Sequence, residues 1–559
     1  MKRKGQIPLR KINQPQSDRL PWWSAVIILS FVVFIFLFYL FTELNRTGRL
    51  GFPLDDPWIH LTFARNLAKG FGFAYNQGEP VQGSTAPLWT LLLAFFYFLF
   101  GDSSRFVLIV KLLGMVSLYL SALIGFRIVT YITKNQLAGL ITGLSFALLS
   151  HFGWAMVSGM EVNLSVALCL SGLYYHLKSP KGWKGVLPWF FFGLAVYTRP
   201  ECLLLALFLI LDIIISRRVF RYWLGLGIYL LTLLPYFALN LTLVNSLFPQ
   251  TYVAKVGETS LFSALAQGNL SRIKFLLFQS PFIYFGGFIA HLYRANPILL
   301  ILSLFGIIEL CYQALQWRKS LLICFIALFY PPLLGMVAPF VGPAFQNGRY
   351  LGPPTAAMVL IAVLGGGFIL RKVKKKMRPA VLFLLVIPAL FNFISTGLQG
   401  ARNTADAVFS INRQQVAIGE WLSKNTPKEA VIATNDVGAI GYFANRRILD
   451  LLGLITPEVT YLRKLSRSGA KVFSLLDYLR NKKPDYLVIF PNWFPDLLGA
   501  KFLTPVYVAD ILDNTASEYD FVPRARTLAG ILITNLIVEP IRSTMVVFKC
   551  NWEVPQGAP

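Results

Sequence analysis

The sequence predicts a polytopic α-helical membrane protein of about eleven transmembrane helices, carrying a C-terminal extracytoplasmic α/β domain. Three observations lead there. Hydrophobic residues make up 55% of the chain, charged ones 14%, and mean hydropathy is +0.59, outside the range of soluble domains. Apolar runs of spanning length recur up to Thr396. Beyond Thr396 charges rise, and strand-like runs such as Ala430–Thr434 and Tyr486–Phe490 alternate with helix-like ones such as Arg413–Lys424.

Taken in order, the expected crossings are 24–42, 106–131, 137–157, 162–177, a pair within 186–215, 222–243, 297–316, 320–340, 351–370 and 378–396. The pair is expected to turn at Tyr197-Thr198-Arg199-Pro200-Glu201, where proline and two charges interrupt the apolar run and both flanks are basic. No small-residue cleavage site follows 24–42, so it reads as a retained helix rather than a signal peptide. Residues 1–23 form a basic cytoplasmic tail, 24–396 the membrane domain, and 397–559 the α/β domain. Stretch 86–100, inside a first external loop 43–105, and stretch 273–292, inside a long external loop 244–296, are expected to dip into the outer leaflet.

The formal net charge of +26 raises the question of nucleic acid, and its distribution answers it. Residues 397–559 carry 18 basic against 15 acidic residues, so the excess lies on the hydrophobic part. It concentrates in the tail (Lys2, Arg3, Lys4, Arg10, Lys11, Arg19) and in Arg371, Lys372, Lys374, Lys375, Lys376 and Arg378. These are anchors on the cytoplasmic face of a cell membrane, and no nucleic-acid partner is expected. Five cysteines, four of them in or beside apolar spans, give no disulfide framework or CxxC site. His60, His151, His176 and His291 are too scattered in sequence for a histidine metal cluster.

Chemistry concentrates in the first external loop. Asp55 and Asp56 follow a membrane helix directly at the water interface. Such a pair can hold a divalent cation, Mg or Mn, against a phosphate, or one member can take a proton from an acceptor hydroxyl. Equally, Asp55 and Asp56 can cap a helix Pro57–Leu67 with proline in its first turn. Other candidates carry two readings as well. Glu161 is a helix-start charge or a second site acid. Arg199 and Glu201 pair with each other or serve the site. Lys255 and Arg349 bind a lipid phosphate or anchor helices at the headgroups. His60, four residues after Asp56, reads as packing or a hydrogen bond rather than a ligand.

The loop reads Asp55-Asp56-Pro57-Trp58-Ile59, Phe63-Ala64-Arg65-Asn66-Leu67, Gly70-x-Gly72, Asn76-x-Gly78-Glu79 and Gly83-x-Thr85-x-Pro87-Leu88-Trp89. Further blocks follow in order: Ser158-Gly159-Met160-Glu161, Thr198-Arg199-Pro200-Glu201, Phe248-Pro249-Gln250-Thr251-Tyr252-x-Ala254-Lys255, Asp436-x-Gly438-Ala439-Ile440-Gly441-Tyr442 and Asp450-Leu451-Leu452-Gly453-Leu454. Together they resemble the GT-C superfamily of glycosyltransferases, in particular the AftB-like (terminal arabinofuranosyltransferase) branch. That branch typically reads Asp-Asp-Ala-Tyr and Glu-Gly-Tyr-Thr where this chain has Asp55-Asp56-Pro57-Trp58 and Gln82-Gly83-Ser84-Thr85.

The resemblance implies a GT-C fold and a membrane glycosyltransferase moving a sugar, with inversion, from a polyprenyl-phosphate donor to a glycan or glycolipid on the outer face. Asp55 and Asp56 would be the catalytic pair and the possible cation ligands. Arg65, Glu161, Arg199, Glu201, Lys255 and Arg349 would serve donor phosphate or substrate. The rival expectations are a transporter or flippase of lipid-linked sugars, and a same-fold enzyme acting on protein or lipid A.

Overall fold

The first element is α1 (Trp22–Thr47), 26 residues that Gly48 ends in the left-handed region at φ 70°, its N–H donating to Leu44 O. At 1.5 Å per residue it is about 39 Å long, more than the ~30 Å hydrocarbon core needs. The computed structural model describes residues 20–553 except 102–104, 179–181, 216–220, 258, 318–319, 340–341, 343, 468–473, 495–496, 498–499, 501, 510–525, 529–530 and 534–543. The basic tail therefore lies almost wholly outside the described residues.

Among those residues seven helices are long and apolar enough to cross a membrane, or eight if the pair Gln136–Leu148 and Ser150–Val157, bent by 57°, is one span. The protein is a multi-pass membrane protein. Apolar side chains such as Phe34, Leu37 and Phe41 stand exposed along α1, as lipid contact requires. The helix ending at Lys372 is instead buried over 67% of its apolar window and runs through the middle of the bundle.

The two loop stretches expected to dip into the outer leaflet are both helical. Helix α3 (Pro87–Phe100), which follows α2 (Asp56–Ala68), has 14 residues, about 21 Å, too short to cross. Stretch 273–292 lies in a continuous helix Leu270–Ala295 that includes a π-helical turn at Phe275–Gln279 and has the length and composition of a span, while its Ser280 and Tyr284 donate to Gly335 O and Ala338 O around the end of the helix Leu322–Val337. The apolar run 186–215 breaks as expected, into helices Leu187–Val196 and Leu203–Ile215 with a 3-10 turn Pro200–Cys202 between them.

A buried ion pair fixes the loop that follows α1. Lys111, on α4 (Arg105–Thr133), donates to Glu43 Oε2 at 2.6 Å, and Glu43 Oε1 accepts the Gly51 N–H at 2.9 Å. Inside a membrane bundle an unpaired charge is costly, so this pair holds α1, α4 and the start of the loop in one arrangement.

The composition changes near Thr396, yet the backbone does not break there. One helix, Lys375–Asn425, runs 51 residues from the apolar region into the C-terminal one. Beyond it β1 (Val431–Thr434), β2 (Arg447–Asp450), β3 (Tyr486–Ile489), β4 (Leu503–Ala509) and β7 (Met545–Cys550) form a sheet in the order β2-β1-β3-β7-β4. β1 is parallel to β2 and β3, while β7 is antiparallel to β3 and β4. A separate hairpin joins β5 (Arg526–Leu528) and β6 (Ile531–Ile533). Alternation along β1 and β3 gives the sheet two apolar faces. Ala433, Leu487 and Ile489 pack with Leu479 and Phe502, whereas Ile432 and Val488 pack with Ile59, Phe63, Tyr75 and Val81 of the first loop. The C-terminal region and the loop thus share a core.

Candidate active site between two cavities

Asp55 sits immediately before α2, and its side chain makes no capping bond to that helix. Its carboxylate instead reaches the C-terminal region, where Oδ2 accepts the Gly438 N–H at 2.6 Å and Oδ1 the Ala439 N–H at 2.7 Å. Those donors begin the short helix Ala439–Ala444, in the turn after β1. A Cβ on Gly438 would collide with the Asp55 carbonyl and carboxyl, so glycine alone allows this approach. Burial first, then the neighbouring Asp436 carboxylate, push the Asp55 carboxyl well above its ordinary range, against the pull of the two N–H donors. Asp436 itself accepts from Gln415 Nε2 at 2.9 Å.

Asp56 turns the other way. Arg349 Nη1 donates to its Oδ2 at 2.6 Å, and Lys255 Nζ lies 3.7 Å from Oδ1. Burial pushes Asp56 up, but Arg349 and then Lys255 outweigh it and hold the carboxyl well below the usual range. Lys255 ends the helix Gln250–Lys255, whose Gln250 donates its N–H to Gln82 O at 2.8 Å and its side chain to Gly453 O at 2.8 Å. Arg349 is aimed by three successive left-handed residues, Gln346, Asn347 and Gly348 at φ 47°, 55° and 69°. A Cβ on Gly348 would lie 2.8 Å from the His291 ring.

Behind Asp56 the polar chain continues. His60 Nδ1 contacts Ser84 Oγ at 2.9 Å, and Nε2 faces Glu161 Oε2 at 3.6 Å. Burial lowers the His60 pKa despite Glu161 and Asp56, so the ring is neutral near pH 7. Arg199 donates to Glu161 at 2.7 Å and to Glu201 at 2.6 Å, with its guanidinium 4.5 Å from the Tyr350 ring centre. Arg199 and Glu201 thus pair with each other, and both line the cavity described next.

Two cavities meet at the acidic pair. The first, of about 290 Å³, has Asp56, Glu161, Arg199, Glu201, Lys255 and Arg349 at its polar end and Leu203, Leu204, Leu207, Phe262, Leu334 and Val337 elsewhere on its wall. Leu207 and Phe262 are exposed on the surface of the bundle, so the apolar part opens toward lipid. The second, of about 820 Å³, is the more polar of the two and is lined by Asp55, Asp436, His151, His291, Gln415 and Trp493 among others.

Every sequence candidate but one lines a cavity. Arg65 is the exception, because its guanidinium donates to Tyr442 O at 2.9 Å and covers the Tyr442 ring, tying the loop to the C-terminal region. Sequence reasoning passed over Asp436, although it lay in a quoted block, while His60 makes a hydrogen bond, one of the two roles expected of it. Asp55 and Asp56 do not present a shared cation site, since each oxygen of Asp55 accepts an N–H and Asp56 faces two cations. Among the described residues no three His, Cys, Asp or Glu side chains gather as metal ligands. Asp450, in the last motif block, is structural. Burial pushes its carboxyl up to about 6 while it accepts the N–H groups of Leu452 and Ile455, shaping the turn after β2.

A family model for a domain of unknown function, DUF8728, matches residues 407–542, which include Asp436 and Gly438. No curated protein matches. Among solved structures, ArnT from Cupriavidus metallidurans bound to undecaprenyl phosphate aligns at TM-score 0.54 and 12% identity, covering 96% of this chain and 99% of that one. The same protein in the apo state aligns at 0.52 and 13%, covering 94% and 99%. The Archaeoglobus fulgidus oligosaccharyltransferase, in complex with Zn and sulfate, aligns at 0.50 and 13%, covering 81% and 67%. The chain shares its fold with these proteins, and identity this low carries the fold alone.

Proposed function

We propose that the protein transfers a sugar from a polyprenyl-phosphate donor to an envelope glycan or glycolipid on the outer face of the membrane. The observation that carries this reading is the seam between the cavities, where adjacent carboxylates face one largely apolar space with a cationic end and one larger, more polar space. A lipid-phosphate sugar matches the first. Its tail follows the leucines toward the bilayer and its phosphate meets the cations. Lys255 is the cation free to move, being 28% exposed and 3.7 Å from Asp56, where Arg349 is 4% exposed and bonded at 2.6 Å. The undecaprenyl phosphate in ArnT, a protein of the same fold, supports a ligand of this class.

The acceptor enters from the second cavity. Its hydroxyl oxygen forms a bond to the anomeric carbon as the bond from that carbon to the phosphate oxygen breaks. The electron pair leaves with the lipid phosphate, which Lys255 and Arg349 stabilise, and the hydroxyl proton passes to Asp55. Attack opposite the leaving group inverts the centre, as the resemblance of the first-loop motifs to the AftB-like branch implies. A divalent cation would compete with Lys255 and Arg349 for Asp56.

Lys255→Ala removes one charged hydrogen bond to the phosphate and leaves Asp56 paired with Arg349, so affinity for undecaprenyl phosphate should fall roughly 10- to 100-fold. Native mass spectrometry of the protein in lipid nanodiscs reads it out, and unchanged lipid retention rules the cavity out as the donor site. Transfer should persist in chelator, and loss that Mg²⁺ or Mn²⁺ restores would transfer the phosphate role to a cation. For orientation, an alkaline phosphatase fusion after Thr396 should be active and one at Lys374 inactive, placing the basic run inside.

A further inference from the structure

Partnerless polar atoms mark the wall of the second cavity. His151 Nε2, His291 Nε2 and Gln415 Oε1 belong to side chains more than nine-tenths buried, and no protein group bonds them. His151 is fixed in place, its Nδ1 meeting Asn347 O at 2.9 Å and its ring packed edge-to-face with His291 at 5.0 Å. Buried polar atoms in such a state are satisfied by a ligand or ordered water. They are donors or acceptors suited to hydroxyl groups.

Charge separates this cavity from its neighbour. The first cavity has Lys255, Arg349 and Arg199 at its polar end. Among the described residues lining the second, Arg294 is the one lysine or arginine, and Asp55 and Asp436 oppose it. A phosphate on the incoming molecule would meet carboxylates. Trp493 adds a flat apolar surface, 47% exposed and packed 5.0 Å from the Phe490 ring. At about 820 Å³ the space lies within the ~300–1,000 Å³ of ligand pockets.

We infer that the second cavity binds an uncharged saccharide end, with the sugar ring on Trp493 and its hydroxyls bonded by His151, His291 and Gln415. That this saccharide is the acceptor rests on the transferase reading. The binding site stands on its own residues.

The test uses the full chain in lipid nanodiscs and saturation-transfer NMR. Its probes are three neutral disaccharides (arabinobiose, mannobiose, galactobiose) and glucose 6-phosphate. At least one neutral sugar should bind more tightly than the sugar phosphate. Trp493→Ala should weaken that binding roughly three- to tenfold while Trp493→Phe largely keeps it, as loss of an aromatic contact predicts. Glucose 6-phosphate binding as tightly as every neutral sugar overturns the inference, as does neutral binding indifferent to Trp493→Ala. Undecaprenyl phosphate retention, measured in the same samples, reports folding and separates the two readings. Sugar bound without lipid phosphate sinks the transferase reading and spares this one. Lipid phosphate bound with no neutral sugar does the reverse.

Discussion

Asp55→Asn should lower transfer by about two to four orders of magnitude while undecaprenyl phosphate binding persists, because it removes the proton acceptor and leaves the first cavity intact. Asparagine keeps one oxygen for one of the two N–H donors at Gly438 and Ala439 but turns an NH₂ toward the other, so some anchoring is lost as well. Retained lipid binding shows that the loop stays in place. The pH profile then isolates the chemistry. Asp55 is raised by burial and by Asp436, so the ionised base disappears as pH falls through a pKa above the ordinary ~4, and the acid limb of kcat/KM lies correspondingly high. Asp436→Asn removes the like charge, lowers the Asp55 pKa and moves that limb to lower pH. An acid limb unmoved by Asp436→Asn, or normal turnover in Asp55→Asn, would falsify the assignment of Asp55 as base.

Gly438→Ala should both destabilise the protein and abolish transfer. The added methyl meets backbone and carboxyl atoms of Asp55, not the far end of a flexible chain, so the loop and the β1 turn must separate. Overpacking costs about 1–3 kcal/mol, and loss of hydrogen bonds to a charged acceptor costs about 1.5–3 kcal/mol each. Differential scanning fluorimetry in detergent should show a lowered Tm together with the loss of transfer. Gly397→Ala, on the long helix with open space around it, should leave both unchanged or slightly raise Tm. Equal behaviour of the two variants would show that the contact between Asp55 and Gly438 carries no weight.

Spans and strands were legible because they are local, since each apolar run or alternating stretch shows its period within a few residues. So was the break at Thr198–Glu201, which proline announces. The site was legible as residue types and opaque as pairings. Asp55 and Asp56 looked alike in sequence, yet contacts 383 and 293 residues away, with Gly438 and Arg349, fix one on two backbone N–H groups and the other in an ion pair. Arg65 misled for the same reason, because its partner Tyr442 lies 377 residues on. No local pattern encodes such distances.

The unbroken helix Lys375–Asn425 also works as a gauge. One inserted residue turns everything beyond it by about 100° and advances it by about 1.5 Å. An insertion between Gly397 and Ile411 would therefore swing β1 and Asp436 away from Asp55, even though it altered no residue of either cavity wall. Length variation within this helix should be selected against as strongly as substitution of Asp55 itself, while the surface connections elsewhere in the chain are free to lengthen.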